Sequence, residues 1–318
     1  MTLMRTLASY VMRGPWQAVF VASVLALLSM FPILGFLSIL SGAVVALVAL
    51  RQGFKSGLVV ALGASLVVGT FSLLMMRSVG PALVYALLVW APLLGLAQIL
   101  RKTASWAITL DVAALLGVAA IVVIYLASGN PVLVWERALL QLVTVMEDQS
   151  PGQDFSAFRE QIPLFVGWIT GFLAGLFVFG MTVSMLLARW WQSVLYNPGG
   201  FGSEFRALRA SRATSVVVLG VLLLSVVSLG VISDIASDMM MVVLVVYGIF
   251  GLGLVHALVA ATGRGSGWLI GVYVLAFIAL PYVVKILAAL GFADSWLDLR
   301  SRLGASPGQG PGRSHDDS

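Results

Sequence analysis

A chain of 318 residues that is 60% hydrophobic and 10% charged, with a mean hydropathy of +1.06, carries more apolar side chain than a water-soluble fold of that size can hide. The formal charge of +5 is spread one or two residues per loop, not along one stripe, which excludes a nucleic-acid footprint. No cysteine is present, so disulfides, thiolate catalysis and cysteine metal sites are excluded.

Lipid offers no hydrogen bonds to a backbone, so repeated apolar runs of about 20 residues must be helices. A membrane barrel would alternate polar and apolar residues, and this chain does not. The expected fold is all-α, a polytopic transmembrane helix bundle over residues 1–303. Nine spans are read, with eight as the alternative: 16–31, 33–50, 56–76, 80–100, 105–127, 162–188, 214–233, 239–262 and 267–290. Residues 304–318, rich in Gly, Pro and Ser, are expected to be disordered.

The first run follows Arg5 and Arg13 and reads as an uncleaved span, since no small-residue cleavage site is followed by a polar domain. Its Ala18, Ala22 and Ala26 recur once per turn. Such a small-residue face lets another helix approach closely, either a partner's or the chain's own. A single helix from Trp16 to Leu50 would be about 50 Å long, so Pro32 and Gly35 must mark a hairpin or a break.

Asp111 lies about seven residues into the fifth run and His256 about seven from the end of the eighth, which places both roughly 10 Å deep. Ionisable residues at such depth point to function by default. The two read either as a pair that binds a cation or relays a proton, since imidazole titrates near neutrality, or as a structural hydrogen bond or two separate polar residues.

Between the fifth and sixth runs, residues 128–161 form the one long outer loop. Trp135, Ala138, Leu139, Leu142, Val143 and Met146 recur there at helical spacing, predicting an amphipathic interfacial helix. A shorter helix from Phe155 to Ile162 is expected to begin at Asp154 as its N-cap. Gly171 with Gly175, and Gly267 with Gly271, read as internal packing pairs.

The stretch 189–212, RWWQSVLYNPGGFGSEFRALRASR, sets Arg189, Arg206, Arg209 and Arg212 against Glu204, and arginine-rich loops stay cytoplasmic. Asn197-Pro198-Gly199-Gly200 is a turn signal. Ser203 is expected to cap a short interfacial helix bearing Phe201, Phe205 and Leu208 on one face. Phe201, Phe205, Arg206, Arg209 and Arg212 are candidate contacts for lipid phosphate or a partner protein. Lys285, just after Pro281, reads as an ammonium reaching the outer interface or lining an outward cavity, with Asp234, Asp238, Asp294 or Asp298 as partners.

These charges place the N-terminus in the cytoplasm and, with nine spans, the tail outside. The chain has no phosphate-binding loop, no Ser-His-Asp set and no His-rich metal site. No catalytic residue, cofactor or metal is therefore expected.

NPGGFGSEFRALR at 197–209, His256, and ADSWLDLR at 293–300 resemble the YybS-like family of bacterial multi-pass membrane proteins. That family's spans look related to the substrate-binding subunits of energy-coupling-factor transporters, which present an Ala-x-x-x-Ala face to a partner and rely on separate ATPases. The resemblance implies a non-enzymatic, transport-related subunit of the bacterial inner membrane that binds a small solute and is energised by a membrane or ATPase partner. The extra spans and the loop at 189–212 depart from the six-helix transporter subunits. An envelope scaffold without transport activity and a lipid-handling protein are the alternatives.

Overall fold

The computed structural model describes residues 2–150, 152–262 and 267–304. Arg264 and the tail from residue 305 on lie outside the described residues. Helix accounts for 88% of the structure, and no strand is present among the described residues.

In chain order the helices are α1 (Thr2–Val11), α2 (Pro15–Leu28), α3 (Leu37–Gln52), α4 (Phe54–Met76), α5 (Gly80–Val84), α6 (Ala91–Thr103), α7 (Trp106–Ser128), α8 (Pro131–Gln149), α9 (Ser156–Phe165), α10 (Ile169–Tyr196), α11 (Gly200–Arg206), α12 (Arg212–Val226), α13 (Val231–Ala261), α14 (Gly267–Ile278), α15 (Leu280–Leu297) and α16 (Leu299–Gly304). A π-helical turn, Tyr85–Trp90, joins α5 to α6, and short 3-10 turns stand at Pro32–Leu34 and Val166–Trp168. Pro92 explains the π turn: it has no N–H to give the carbonyl one turn earlier, so the helix rewinds around it.

Among the described residues, six stretches are long and apolar enough to cross a membrane: 54–76, 80–103, 106–128, 156–196, 231–261 and 280–297. The expected count of nine is not reached. The runs at 16–31, 33–50 and 214–233 form helices of only 14, 16 and 15 residues. The run at 267–290 is broken at Ala279, ahead of Pro281, into helices of 12 and 18 residues, because a proline ring and the residue before it disfavour a continuous helix.

The chain divides into two compact units. The first comprises 1–201 and 217–246, the second 202–216 and 247–318. In the first unit α3 is the centre. Every residue from Ser41 to Leu50 is buried, with α2, α4, α6 and α10 packed around it. A helix that is apolar on all sides is stable only when fully surrounded. Of the hairpin or break expected between the first two runs, the structure has a hairpin, tied by a hydrogen bond from Ser41 Oγ to the Ala22 carbonyl at 2.8 Å.

α8 and α9 pack together around Val143, Ile162 and Val166, with Trp135 and Leu139 half-buried against them. The expected amphipathic face is thus rotated: Leu142 and Met146 are 50% and 39% exposed. Arg159 on α9 donates two hydrogen bonds to Glu147 on α8. The Asp154 carboxylate accepts from the Ser156 N–H at 2.8 Å, so it serves the first turn although α9 begins at Ser156. That hydrogen bond holds Asp154 below its ordinary value of 3.8.

Candidate functional site

In the second unit the structure gathers residues 202–209, His256 and residues 293–300. Leu208 is 2% exposed and sits against Gly253 on α13. The Phe205 ring meets His256 edge-on at 5.2 Å. Arg300 donates from Nε to Asp294 Oδ2 at 2.9 Å and from its terminal nitrogens to the carbonyls of Arg206 and Leu208. Arg209 pairs with Asp298 at 3.0 Å and donates to the Asp294 carbonyl at 2.8 Å. Beneath this clamp, Ser215 Oγ lies 3.0 Å from Tyr247 Oη and donates to Ser295 Oγ at 2.7 Å.

α13 and α15 meet at glycine. A Cβ on Gly251 would land on the Leu287 carbonyl oxygen, and one on Gly291 would meet the Tyr247 carbonyl at 2.5 Å. Only a bare backbone allows that approach.

These contacts change several expectations. Asp294, Asp298 and Arg300 stand on the same side as Arg206 and Arg209, so the end of α15 is not on the opposite face from the arginine-rich segment. His256 on α13 already meets Phe205, and just past α15 Arg300 donates to the Arg206 carbonyl, so α14 and α15 together leave this end of the second unit and return to it. Arg209 is engaged in the clamp and is not a free partner contact, whereas Arg206 and Arg212 are exposed. Ser203 lies inside α11 and is not its cap. The Phe201 N–H bonds instead to Ser193 Oγ at 3.0 Å. Phe201 is half-buried in the first unit, and the apolar face of this segment turns inward at Phe205 and Leu208.

His256 Nε2 is 2.9 Å from Tyr273 Oη, a tyrosine whose position on α14 no spacing argument revealed, and Asp111 is half-buried on α7 of the first unit. Lys285 is exposed on α15. Its four expected partners are otherwise occupied or unpaired with it: no ion pair to Lys285 occurs among the described residues.

Ala18, Ala22 and Ala26 are each 0% exposed. α2 packs against the chain's own α3 and α4, with the Ser41 hydroxyl on the Ala22 carbonyl, so the stripe is covered within the first unit. A Cβ on Gly175 would meet the Met241 carbonyl oxygen at 3.3 Å, so this glycine lies at an internal contact, while Cβ atoms on Gly267 and Gly271 would meet nothing within 4 Å. Those two line an open groove on α14 instead.

Two features of the first unit were not read from the sequence. One is a lateral cavity of about 270 Å³ beside the π turn, between Ser38 and Ile39 on α3, Leu88, Val89 and Leu93, and Leu173, Phe177, Gly180 and Ser184 on α10. Its lining is apolar except for two serine hydroxyls, each bonded to a backbone carbonyl. The flanking rings are fixed: Trp90 Nε1 donates to Ser41 Oγ at 3.2 Å, and Tyr85 Oη bonds Ser29 Oγ. The signal in the sequence was Pro92 within an apolar run.

The other is Asp238, 5% exposed. Tyr125 Oη donates to its Oδ2 and the Gly171 N–H to its Oδ1, both at 2.9 Å. A Cβ on Gly171 would meet Asp238 Cα at 2.8 Å and its carbonyl oxygen at 2.9 Å, so a glycine is required for the contact. Next to it, Trp135 Nε1 donates to Thr170 Oγ1 at 2.9 Å. No group of three or more His, Cys, Asp or Glu able to hold a metal exists among the described residues.

The class these observations define is a protein that is all-helical among the described residues, with six helical stretches there of membrane-spanning length and composition. Comparison with known protein families, curated proteins and solved structures finds no match.

Proposed function

We propose that the chain is a transport-related membrane subunit that binds a small, largely apolar solute in the cavity beside the π turn. The observation that carries this reading is the cavity itself, an opening of about 270 Å³ next to α3, whose surroundings are otherwise tightly packed. Mostly apolar lining with a few fixed polar groups is the usual make-up of a small-molecule site, and π turns recur at functional sites. The chain is placed in the bacterial inner membrane with its N-terminus in the cytoplasm, on the strength of the arginine distribution. Its resemblance to the YybS-like family supports the same class. A separate partner supplies energy and docks at the exposed Arg206 and Arg212 in place of the buried alanine stripe.

Gly180→Leu tests the reading, because a Cβ at Gly180 meets nothing within 4 Å and the added side chain fills the cavity without a clash at its root. Native mass spectrometry of the full chain in mild detergent is expected to show a bound small mass that this variant loses. Equal occupancy in both proteins overturns the assignment. A bound mass equal to a phospholipid selects the lipid-handling alternative, which the exposed apolar residues of α8 favour.

A further inference from the structure

Two carboxylates are nearly sealed from solvent among the described residues, Asp238 at 5% exposure and Asp294 at 1%, and their surroundings differ in kind. Asp294 faces the Arg300 guanidinium at 2.9 Å, with Arg209 at 4.0 Å. A positive charge so close compensates an ionised carboxylate. Asp238 has only neutral donors, the Tyr125 hydroxyl and the Gly171 amide, and no Lys, Arg or His pairs with it among the described residues.

A carboxylate that gives up its water without a counter-charge pays a desolvation cost that two neutral hydrogen bonds do not return. One proton removes that cost, and the geometry accepts it. With the proton on Oδ2, the acid donates to Tyr125 Oη across the same 2.9 Å, since a hydroxyl both donates and accepts. Oδ1 keeps the Gly171 N–H.

We propose that Asp238 is a proton-binding site, held as the neutral acid where α7, α10 and α13 meet, that exchanges its proton with water at the Asp234 end of α13. Asp234 lies one turn earlier on the same helix and is exposed. The titratable groups beside Asp238 are Tyr125 on α7 and Asp234 on its own helix. From α10 it receives only the backbone amide of Gly171. On release the proton passes to water, and the carboxylate left behind keeps both donors but now carries an uncompensated charge at a three-helix contact. A charge there favours separation of these helices and entry of water, which makes the contact responsive to the proton. This site stands independently of the solute cavity.

Infrared spectroscopy of the full chain in lipid at neutral pH, with and without ¹³C-carboxyl aspartate, reads the proton directly. The expected result is a carboxylic-acid carbonyl band that moves on labelling, is lost in Asp238→Asn, and shifts to higher frequency in Tyr125→Phe, where a hydrogen bond is missing. Absence of a label-sensitive acid band in the unmodified chain overturns the proposal, as does a band that survives Asp238→Asn. Should Asp238→Asn fail to fold, Tyr125→Phe decides, because an unmoved band then places the protonated aspartate elsewhere.

Discussion

Removing the guanidinium of Arg300 exposes how much the clamp of the second unit contributes. In Arg300→Met the side chain keeps its length and apolar stem, but Asp294, with a side chain 2% exposed, is left buried without its closest cation. The carbonyls of Arg206 and Leu208 also lose their donors. Breaking a buried pair from one side costs about 3–5 kcal/mol, and each stranded acceptor about 1–3 kcal/mol. These terms share one side chain and do not add, so a total near the upper end of about 3–5 kcal/mol is expected. The Arg209–Asp298 pair is the internal control. Its side chains are 33% and 46% exposed, and a pair so solvated contributes about 0.2–1 kcal/mol, so Asp298→Asn should barely register. Unfolding of both variants in mixed detergent, followed by tryptophan fluorescence, measures the two costs against the unmodified chain. The double variant Asp294→Asn, Arg300→Met should recover part of the loss, because the stranded charge is gone. Equal destabilisation by Arg300→Met and Asp298→Asn would falsify the argument that burial of Asp294 sets the energy.

The absence of native cysteine permits single-site labelling, and Ser301→Cys is expected to react from the same side as Ser211→Cys; labelling from opposite sides contradicts the clamp. Gly171→Ala drives a methyl into the Asp238 backbone and should cost about 1–3 kcal/mol by overpacking, read as a lowered unfolding midpoint. Leu47→Ala, at a wholly buried position on α3, should cost about 2–5 kcal/mol through the cavity it leaves, measured the same way. The depressed Asp154 carboxyl stabilises the first turn of α9 fully above its ordinary value of 3.8 and loses that contribution as pH falls through the lower folded value. Amide exchange at Ser156, corrected for intrinsic rate, should therefore gain speed in that acid window, and Asp154→Ala should remove the dependence.

Helix class, a hairpin or break between the first two runs and the helical character of α8 and α9 were legible because lipid-length apolar runs and a 3.6-residue period leave few alternatives. Helix ends were less so. Pro92 and Pro281 sit at comparable places in apolar runs, yet one yields a π turn within a continuous stretch and the other a break, a choice made by tertiary packing. The alanine stripe correctly announced a close helix contact, but spacing cannot say whose helix arrives. Asp238 entered only as a possible partner of Lys285, since Tyr125 and Gly171, 113 and 67 residues away, are what reveal that it is enclosed. Likewise Arg209 looked available because its partners lie 85 and 89 residues further on.

The short α2 and α3 set a length scale of their own. At 14 and 16 residues they reach about 21 and 24 Å, against a hydrocarbon layer of about 30 Å. Of the pair, α2 offers large apolar side chains outward, with Trp16 80% and Phe20 60% exposed, while α3 is enclosed from Ser41 to Leu50. The length shortfall therefore bears on α2 alone, and the helix at the centre of the unit is spared any dependence on the thickness of what surrounds it.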